Sequence, residues 1–465
     1  MSSDGTTPGD SSAGRENQAG SGAASSGGAA SPLQAAIGLT DGSDTTVSRF
    51  PGDASPQATI VVSPTGDGDY ATIQEAIDFA PAEARILIRP GRYTESVVID
   101  KPVQLDADSE SGEVVLVAAD GPCITVDTHH ATVSHLACQG MSEACPARTV
   151  HTVHLRQGRL VLDACHLSAS SGACLAGIGP GAVPVVQGGS FENGEVGFLA
   201  DNGAQGTLDG VTIRGAALAG VLISNGSDAA FHNCDICEGK ASGIVAFGGC
   251  QGRFEGCRIH NHQAACVEIS GGSQSAFIRC AIHDGAHLGV HVCKDAQPLF
   301  EHCDIHSHAK ACVAVSEKAR PVFRDCTIRD GNASGVFAFA QAAAALERCE
   351  IRGHRLDGIR IAEDSSLTLD ACRILGGQGR GAYLYAGGRG TFNDCDVRSN
   401  AKHGLLVSDA HLALRGCSVS CNGGSGVVIQ GAGAGTLERC DLTGNQQSGI
   451  EADPGCNLNV SDCQQ

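Results

Sequence analysis

Phe254-Glu255-Gly256-Cys257-Arg258-Ile259 returns 23 residues later as Phe277-Ile278-Arg279-Cys280-Ala281-Ile282. It returns again as Phe300-Glu301-His302-Cys303-Asp304-Ile305 and as Phe323-Arg324-Asp325-Cys326-Thr327-Ile328. The cysteine column opens at Cys234 and continues through Cys349, Cys372 and Cys395. After one 22-residue step it resumes at Cys417, Cys440 and Cys463. A Gly-aliphatic pair follows nine and ten residues after the cysteine, as in Gly243-Ile244, Gly289-Val290, Gly335-Val336 and Gly358-Ile359. A strict period of this length marks a repeat architecture. Helical repeats run to about 33–47 residues, and leucine-rich repeats need Leu and Asn at fixed offsets that are not seen here. The apolar residues alternate in short runs bounded by Gly, Asn and Asp, which is strand patterning. What remains is an all-β, single-stranded right-handed parallel β-helix, a solenoid of about 23 residues per coil with two or three strands each. Coils stack at about 4.8 Å, so like positions form ladders. The cysteines become an internal column of small thiols, and the isoleucines two residues on become the aliphatic core.

The register extends upstream with substitutions. Cys165 fits with Leu162 and Leu167; Gly189 and Val211 take the cysteine slot in two further coils. Residues 140–160 break the spacing and are expected to bulge out as a loop. In Tyr70–Pro81, Ile73, Ala76, Ile77 and Ala80 share one helical face, with Thr72 at the start and Pro81 at the stop. This predicts a short N-terminal capping helix, since an uncovered solenoid end exposes core and strand edge. Residues 1–57 are rich in Ser, Gly, Ala and Asp and read as a disordered tail, leaving 58–465 as the β-helix. Chain end Cys463-Gln464-Gln465 falls in mid-coil. Self-blunting by polar residues, a longer natural chain or an end-to-end homodimer would each cover it. No basic-then-apolar leader and no run of about 20 apolar residues is present, so neither a signal peptide nor a membrane span is expected. The net charge of −20 argues against nucleic acid as a partner. Of the 23 cysteines, those in the ladder run parallel from coil to coil, which disfavours disulfide dihedrals. Buried reduced thiols, and hence a cytoplasmic location, are expected ahead of disulfides or metal. No cofactor is expected.

Asp69-Tyr70-Ala71-Thr72-Ile73-Gln74-Glu75-Ala76-Ile77, Ile86-Leu87-Ile88-Arg89-Pro90-Gly91-Arg92-Tyr93 and Val97-Val98-Ile99-Asp100-Lys101-Pro102-Val103 resemble the start of pectin-lyase-like β-helix proteins, pectin methylesterases among them. Coils such as Arg320-Pro321-Val322-Phe323-Arg324-Asp325-Cys326-Thr327-Ile328 resemble the repeat group shared by alginate epimerases, periplasmic copper-maturation proteins and F-box substrate receptors. The resemblance spans about residues 58–463 and implies the fold; these families differ in their sites. The methylesterase Gly-Arg-Pro-Trp segment is excluded by the absence of Trp. The polygalacturonase strings Asn-Thr-Asp, Gly-His-Gly and Arg-Ile-Lys are absent, as is the epimerase Asp-Pro-His-Asp. The scattered acidic residues of pectate lyases form too diffuse a pattern to test.

Three outward columns carry the remaining information. The positions eleven and thirteen after the ladder cysteine place Phe337, Phe339, Arg360, Tyr383 and Tyr385 on three adjacent coils. Aromatic residues with Arg are the usual anchors of a binding surface, against the plainer reading that they shield the strand face. In the first of these columns Glu268 and His291 are neighbours, a base with an orienting carboxylate. Glu268, His291 and Arg360 are the residues offered for catalysis. Three after the cysteine stand His260, His283 and His306, followed by Arg329 and Arg352. Such a ladder is structural, pH-sensitive or metal-binding; the structural reading leads, and no metal is expected. The expected function is a non-catalytic scaffold binding a protein or glycan (polysaccharide) partner along its strand face. The alternative is a lyase or epimerase acting on uronate-type polysaccharide.

Overall fold

The computed structural model describes residues 59–141 and 149–465; the predicted tail at 1–57 lies outside them. The chain is an all-β right-handed parallel solenoid of about 17 turns, about 23 residues each. A regular coil has three strands. One face repeats Asp235–Cys237, Arg258–His260 and Ala281–His283 in a 15-stranded sheet. The second repeats Ser242–Phe247, Val267–Ile269 and Val290–Val292, and the third Gln251–Glu255, Ala276–Ile278 and Leu299–Glu301. The latter two are joined into one sheet by the long strands Ile124–Ser134 and Val153–Asp163. Pairing is parallel and in register: Phe254 faces Phe277, then Phe300 and Phe323, while Ile259 faces Ile282, then Ile305 and Ile328.

The expected loop at 140–160 is corrected. Residues 142–148 lie outside the described residues, but Val153–Asp163 is a strand. Val153, Leu155, Leu160 and Leu162 point into the core and hold this segment in the coil. A bulge against Asp127–His130 absorbs the irregular spacing.

The Phe column is a continuous phenyl stack. Centroids of Phe231, Phe254, Phe277, Phe300 and Phe323 follow at 4.6, 4.7, 4.8 and 4.8 Å, with ring planes within 10° of parallel. Beside it runs the thiol ladder. Each Sγ donates to the carbonyl of the phenylalanine one coil back: Cys257 to Phe231 (3.5 Å), Cys280 to Phe254 (3.4 Å), Cys303 to Phe277 (3.3 Å) and Cys326 to Phe300 (3.4 Å). Every described cysteine is a free thiol.

A second internal column, five after the cysteine, alternates Gly239, His262, Gly285, His308, Gly331 and His354. These three histidines are fully buried. Each accepts at Nδ1 from the glycine one coil back (3.1, 3.1 and 3.2 Å) and donates from Nε2 to Ile236, Ile282 or Ile328 (3.0 Å each). The ring needs a glycine beneath it. A Cβ on Gly239 would sit 2.6 Å from His262 Nδ1, and one on Gly243 2.6 Å from its Nε2. Further on, Asn400, Asn422 and Asn445 occupy the same column on consecutive coils.

The predicted helix forms at Ile73–Phe79, burying Ile73, Ala76 and Ile77. Thr72 caps it through Oγ1, which accepts from Glu75 N at 3.3 Å. The Glu95 carboxylate accepts from the N–H groups of Ile73 and Gln74, both at 2.9 Å.

Candidate functional site

The second face carries the columns eleven and thirteen after the cysteine, and the structure brings the five predicted binding residues together there. Strands Val336–Ala338, Ile359–Ile361 and Ala382–Tyr385 place Phe337, Arg360 and Tyr383 in register, with Phe339 and Tyr385 two residues on. The rings pair within each coil: Phe337 with Phe339 at 4.8 Å, and Tyr383 with Tyr385 at 4.6 Å. Arg360 lies between the pairs. Its guanidinium carbon is 5.2 Å from the Phe337 centroid and 5.3 Å from that of Tyr385, and Nη2 donates to the Tyr385 hydroxyl at 3.0 Å. All five side chains are half-buried, so the cluster is a built surface with a solvent-facing side.

Two further residues belong to it. Arg380 lies over the Tyr383 ring at 4.6 Å. Asp357, largely buried, receives Arg380 Nη1 at 3.3 and 3.4 Å and the Arg380 backbone N–H at 3.0 Å; Arg360 Nε stands 4.0 Å from its carboxylate. Asp357 and Arg380 occupy one turn column, eight after the cysteine, on successive coils. Extending the column reading to the turns finds them; strand positions alone do not. A depression of about 240 Å³ opens here, lined by Arg355, Arg360, Arg380 and Lys402 against the single carboxylate of Asp357, with Tyr383 in its wall. A cationic hollow with aromatic sides thus sits on a molecule of net charge −20. Cation–aromatic contacts of this kind are worth about 0.5–2 kcal/mol each and hold the guanidinium groups in place.

The pair offered for catalysis stands on the same face. Glu268 and His291 do face each other across coils, but their side chains are not hydrogen-bonded. Glu268 accepts from Ser242 at 3.3 Å, and His291 contacts Ser316 at 3.5 Å. Burial holds the His291 pKa below the usual imidazole range despite the Glu268 charge. Both side chains thus turn to serines of neighbouring coils. Arg360, the third residue offered for catalysis, is committed to the aromatic cluster.

The histidine ladder is a face-to-face stack. His260, His283 and His306 follow at 4.8 and 5.0 Å with planes within 3°. Each ring turns to a different partner: His260 to Asp235 (2.9 Å), His283 to Asp284 (2.8 Å), His306 to Ser307 (3.0 Å). The three do not converge on one point, so the ladder as a whole is not a metal site. Arg329 continues the column with two contacts to Asp304 at 2.7 and 2.9 Å.

No curated protein matches the sequence. Among solved structures, the AlgE4 A-module of the Azotobacter vinelandii mannuronan C-5 epimerase is similar at 12% identity, over 84% of this chain and 92% of that one, with a TM-score of 0.38. Pectin methylesterase PemA from Erwinia chrysanthemi is similar at 14% identity, over 50% of this chain and 81% of that one, with a TM-score of 0.33. The family model described as right handed beta helix region matches residues 149–277, 181–321, 219–366 and 357–464. With two-thirds of its length under that model, and with its coils paired in parallel, the chain belongs to the right-handed β-helix family.

Proposed function

We propose that the chain is a non-catalytic interaction scaffold that holds an acidic protein or glycan partner against the second face, at Phe337, Phe339, Arg360, Tyr383 and Tyr385. The observation that carries this reading is the pair of stacked ring pairs with Arg360 and Arg380 fixed against them. Rigid aromatic residues and arginines are the residue types in which binding energy concentrates, and here they are ordered before any partner arrives. The surplus of cations in the hollow favours carboxylate- or sulfate-bearing partners, since guanidinium groups match such anions in a planar, two-pronged fashion. The free thiols support a reducing compartment.

A second reading, a lyase or epimerase on uronate-type polysaccharide, draws on the same hollow, where Tyr383 and four cations could face a sugar carboxylate. The test uses the full chain against acidic polysaccharides and acidic peptides, measured by calorimetry. Binding that falls at least tenfold in Arg360→Ala and in the Phe337→Ala/Tyr383→Ala double variant, with melting temperature nearly unchanged, supports the scaffold. Turnover of a uronate polymer to unsaturated product or altered epimer ratio would replace it with the enzymatic reading. Unfolding of the double variant would mean the rings are core.

A further inference from the structure

The lowest rung of the outward histidine ladder differs from those above it. Beneath His260 the column holds Cys237, and Asp235 stands two residues earlier on the same strand. Strand alternation puts Asp235 and Cys237 on one outer face; coil stacking puts His260 directly over Cys237. One donor atom from each lies within 4.8 Å of the other two. Cys237 and His260 are shielded, at 7% and 9% exposure, while the Asp235 side chain opens to solvent at 34%.

We propose that Asp235, Cys237 and His260 form a zinc(II) site that clamps two successive coils, with water in the fourth position. The donor set selects the metal. One sulfur, one imidazole nitrogen and one carboxylate oxygen suit zinc, whereas magnesium and calcium take oxygen. Thiolate and carboxylate together balance the charge of the ion. Binding sends the thiol proton to solvent; the imidazole stays neutral, with its hydrogen moved from Nε2 to Nδ1. The surroundings accommodate that move. Asn261 Nδ2 lies 3.0 Å from His260 Nδ1, and a half-turn of the amide offers its oxygen to Nδ1–H instead, the usual outer support of a metal-bound histidine. Arg214, the rung below Cys237, is drawn to Glu192 at 3.0 Å, which offsets its charge. The higher rungs lack the thiol: Asp304 at the corresponding carboxylate position is taken by Arg329.

The full chain, stripped with chelator and titrated with cobalt(II), tests this. The expected result is a thiolate-to-cobalt charge-transfer band that saturates at one equivalent and is displaced by zinc. Cys237→Ser should abolish the band with the far-ultraviolet dichroism unchanged. Asn261→Gly keeps the left-handed backbone at this position (φ 60°) and should weaken affinity roughly 10–100-fold. No band in the unsubstituted chain, or a band that persists in Cys237→Ser, overturns the site. Should Cys237→Ser not fold, His260→Gln is read in its place, and unchanged cobalt affinity there overturns the site equally.

Discussion

At Cys303 a small thiol, 2% exposed, meets the Phe277 carbonyl at 3.3 Å. The same geometry repeats at Cys257, Cys280 and Cys326, while Cys421 is exposed. A thiol reagent should therefore label Cys421 quickly and these four only on unfolding; mass spectrometry of the native protein would show otherwise if the ladder faced out. Away from the ladder, burial raises the Cys174 and Cys266 thiols to about 12, so thiolate is scarce there. Cys303→Asp should cost about 3–5 kcal/mol, the range for an unpaired buried charge, as read by urea unfolding. The buried histidines make a separate prediction. Burial depresses His262, His308 and His354 to about 4, so they fold neutral and are protonated first in the unfolded chain. Stability is then full above about pH 6.5 and falls as pH drops toward about 4, by at most about 3 kcal/mol per histidine. His151, also depressed to about 4 by burial, adds to it. His308→Asn should flatten the slope, because Asn400 makes the same two main-chain contacts without titrating: it accepts from Gly377 N at 3.1 Å and donates to Ile374 O at 3.3 Å.

The strands are too short to persist alone; each is three to six residues over much of the solenoid, and only stacking makes them strands. Phe300→Ala should therefore cost about 3–5 kcal/mol, since it opens a gap touching rings on both sides, again checked by urea unfolding. The helix depends on one distant carboxylate. Glu95→Ala leaves the Ile73 and Gln74 N–H groups without their acceptor, and hydrogen exchange there should rise before the rest of the molecule responds. How far these elements were legible varied with their physics. Phe254–Ile259 declares itself because identical neighbours must stack, and Thr72 with Ile73, Ala76 and Ile77 declares a helix by cap and face. Residues 153–160 misled because a bulge hides strand period. His262 and His308 are not legible as interior residues, because a side chain's polarity says nothing about two main-chain partners waiting inside. Of the candidate site, Phe337 through Tyr385 followed from strand alternation. Asp357 and Arg380 did not, because turn columns carry no alternation to read.

Across the whole molecule each coil touches only its neighbours, so stability is close to a sum of local terms. Removing coils from the middle is then tolerated where the new neighbours match. Deleting residues 281–326, two coils, brings Gly331 and Gly335 against His262 and Cys266 in place of Gly285 and Gly289. This variant should melt cooperatively and keep the Phe337–Tyr385 surface. Deleting residues 281–303 alone sets His308 on His262 and Cys266, where it needs glycines, and should melt far lower or fail to fold. Circular dichroism of the pair decides the matter; a shorter deletion as stable as the longer one refutes the requirement.

The Gly–His alternation thus gives the solenoid a parity. Between Gly239 and His354 the coils are odd and even, and a chain that lengthens by copying its own segments can add them there only two at a time. Past that stretch the rule lapses. Asn422 donates to Asn445 Oδ1 at 3.0 Å and Asn400 to Asn422 Oδ1 at the same distance, so asparagine tolerates its own kind as a neighbour. It is in this stretch, between Cys395 and Cys417, that the cysteine count slips from 23 residues to 22. Rhythm is strict where the interior alternates and forgiving where it repeats, and new coils would be inherited singly only at the forgiving end.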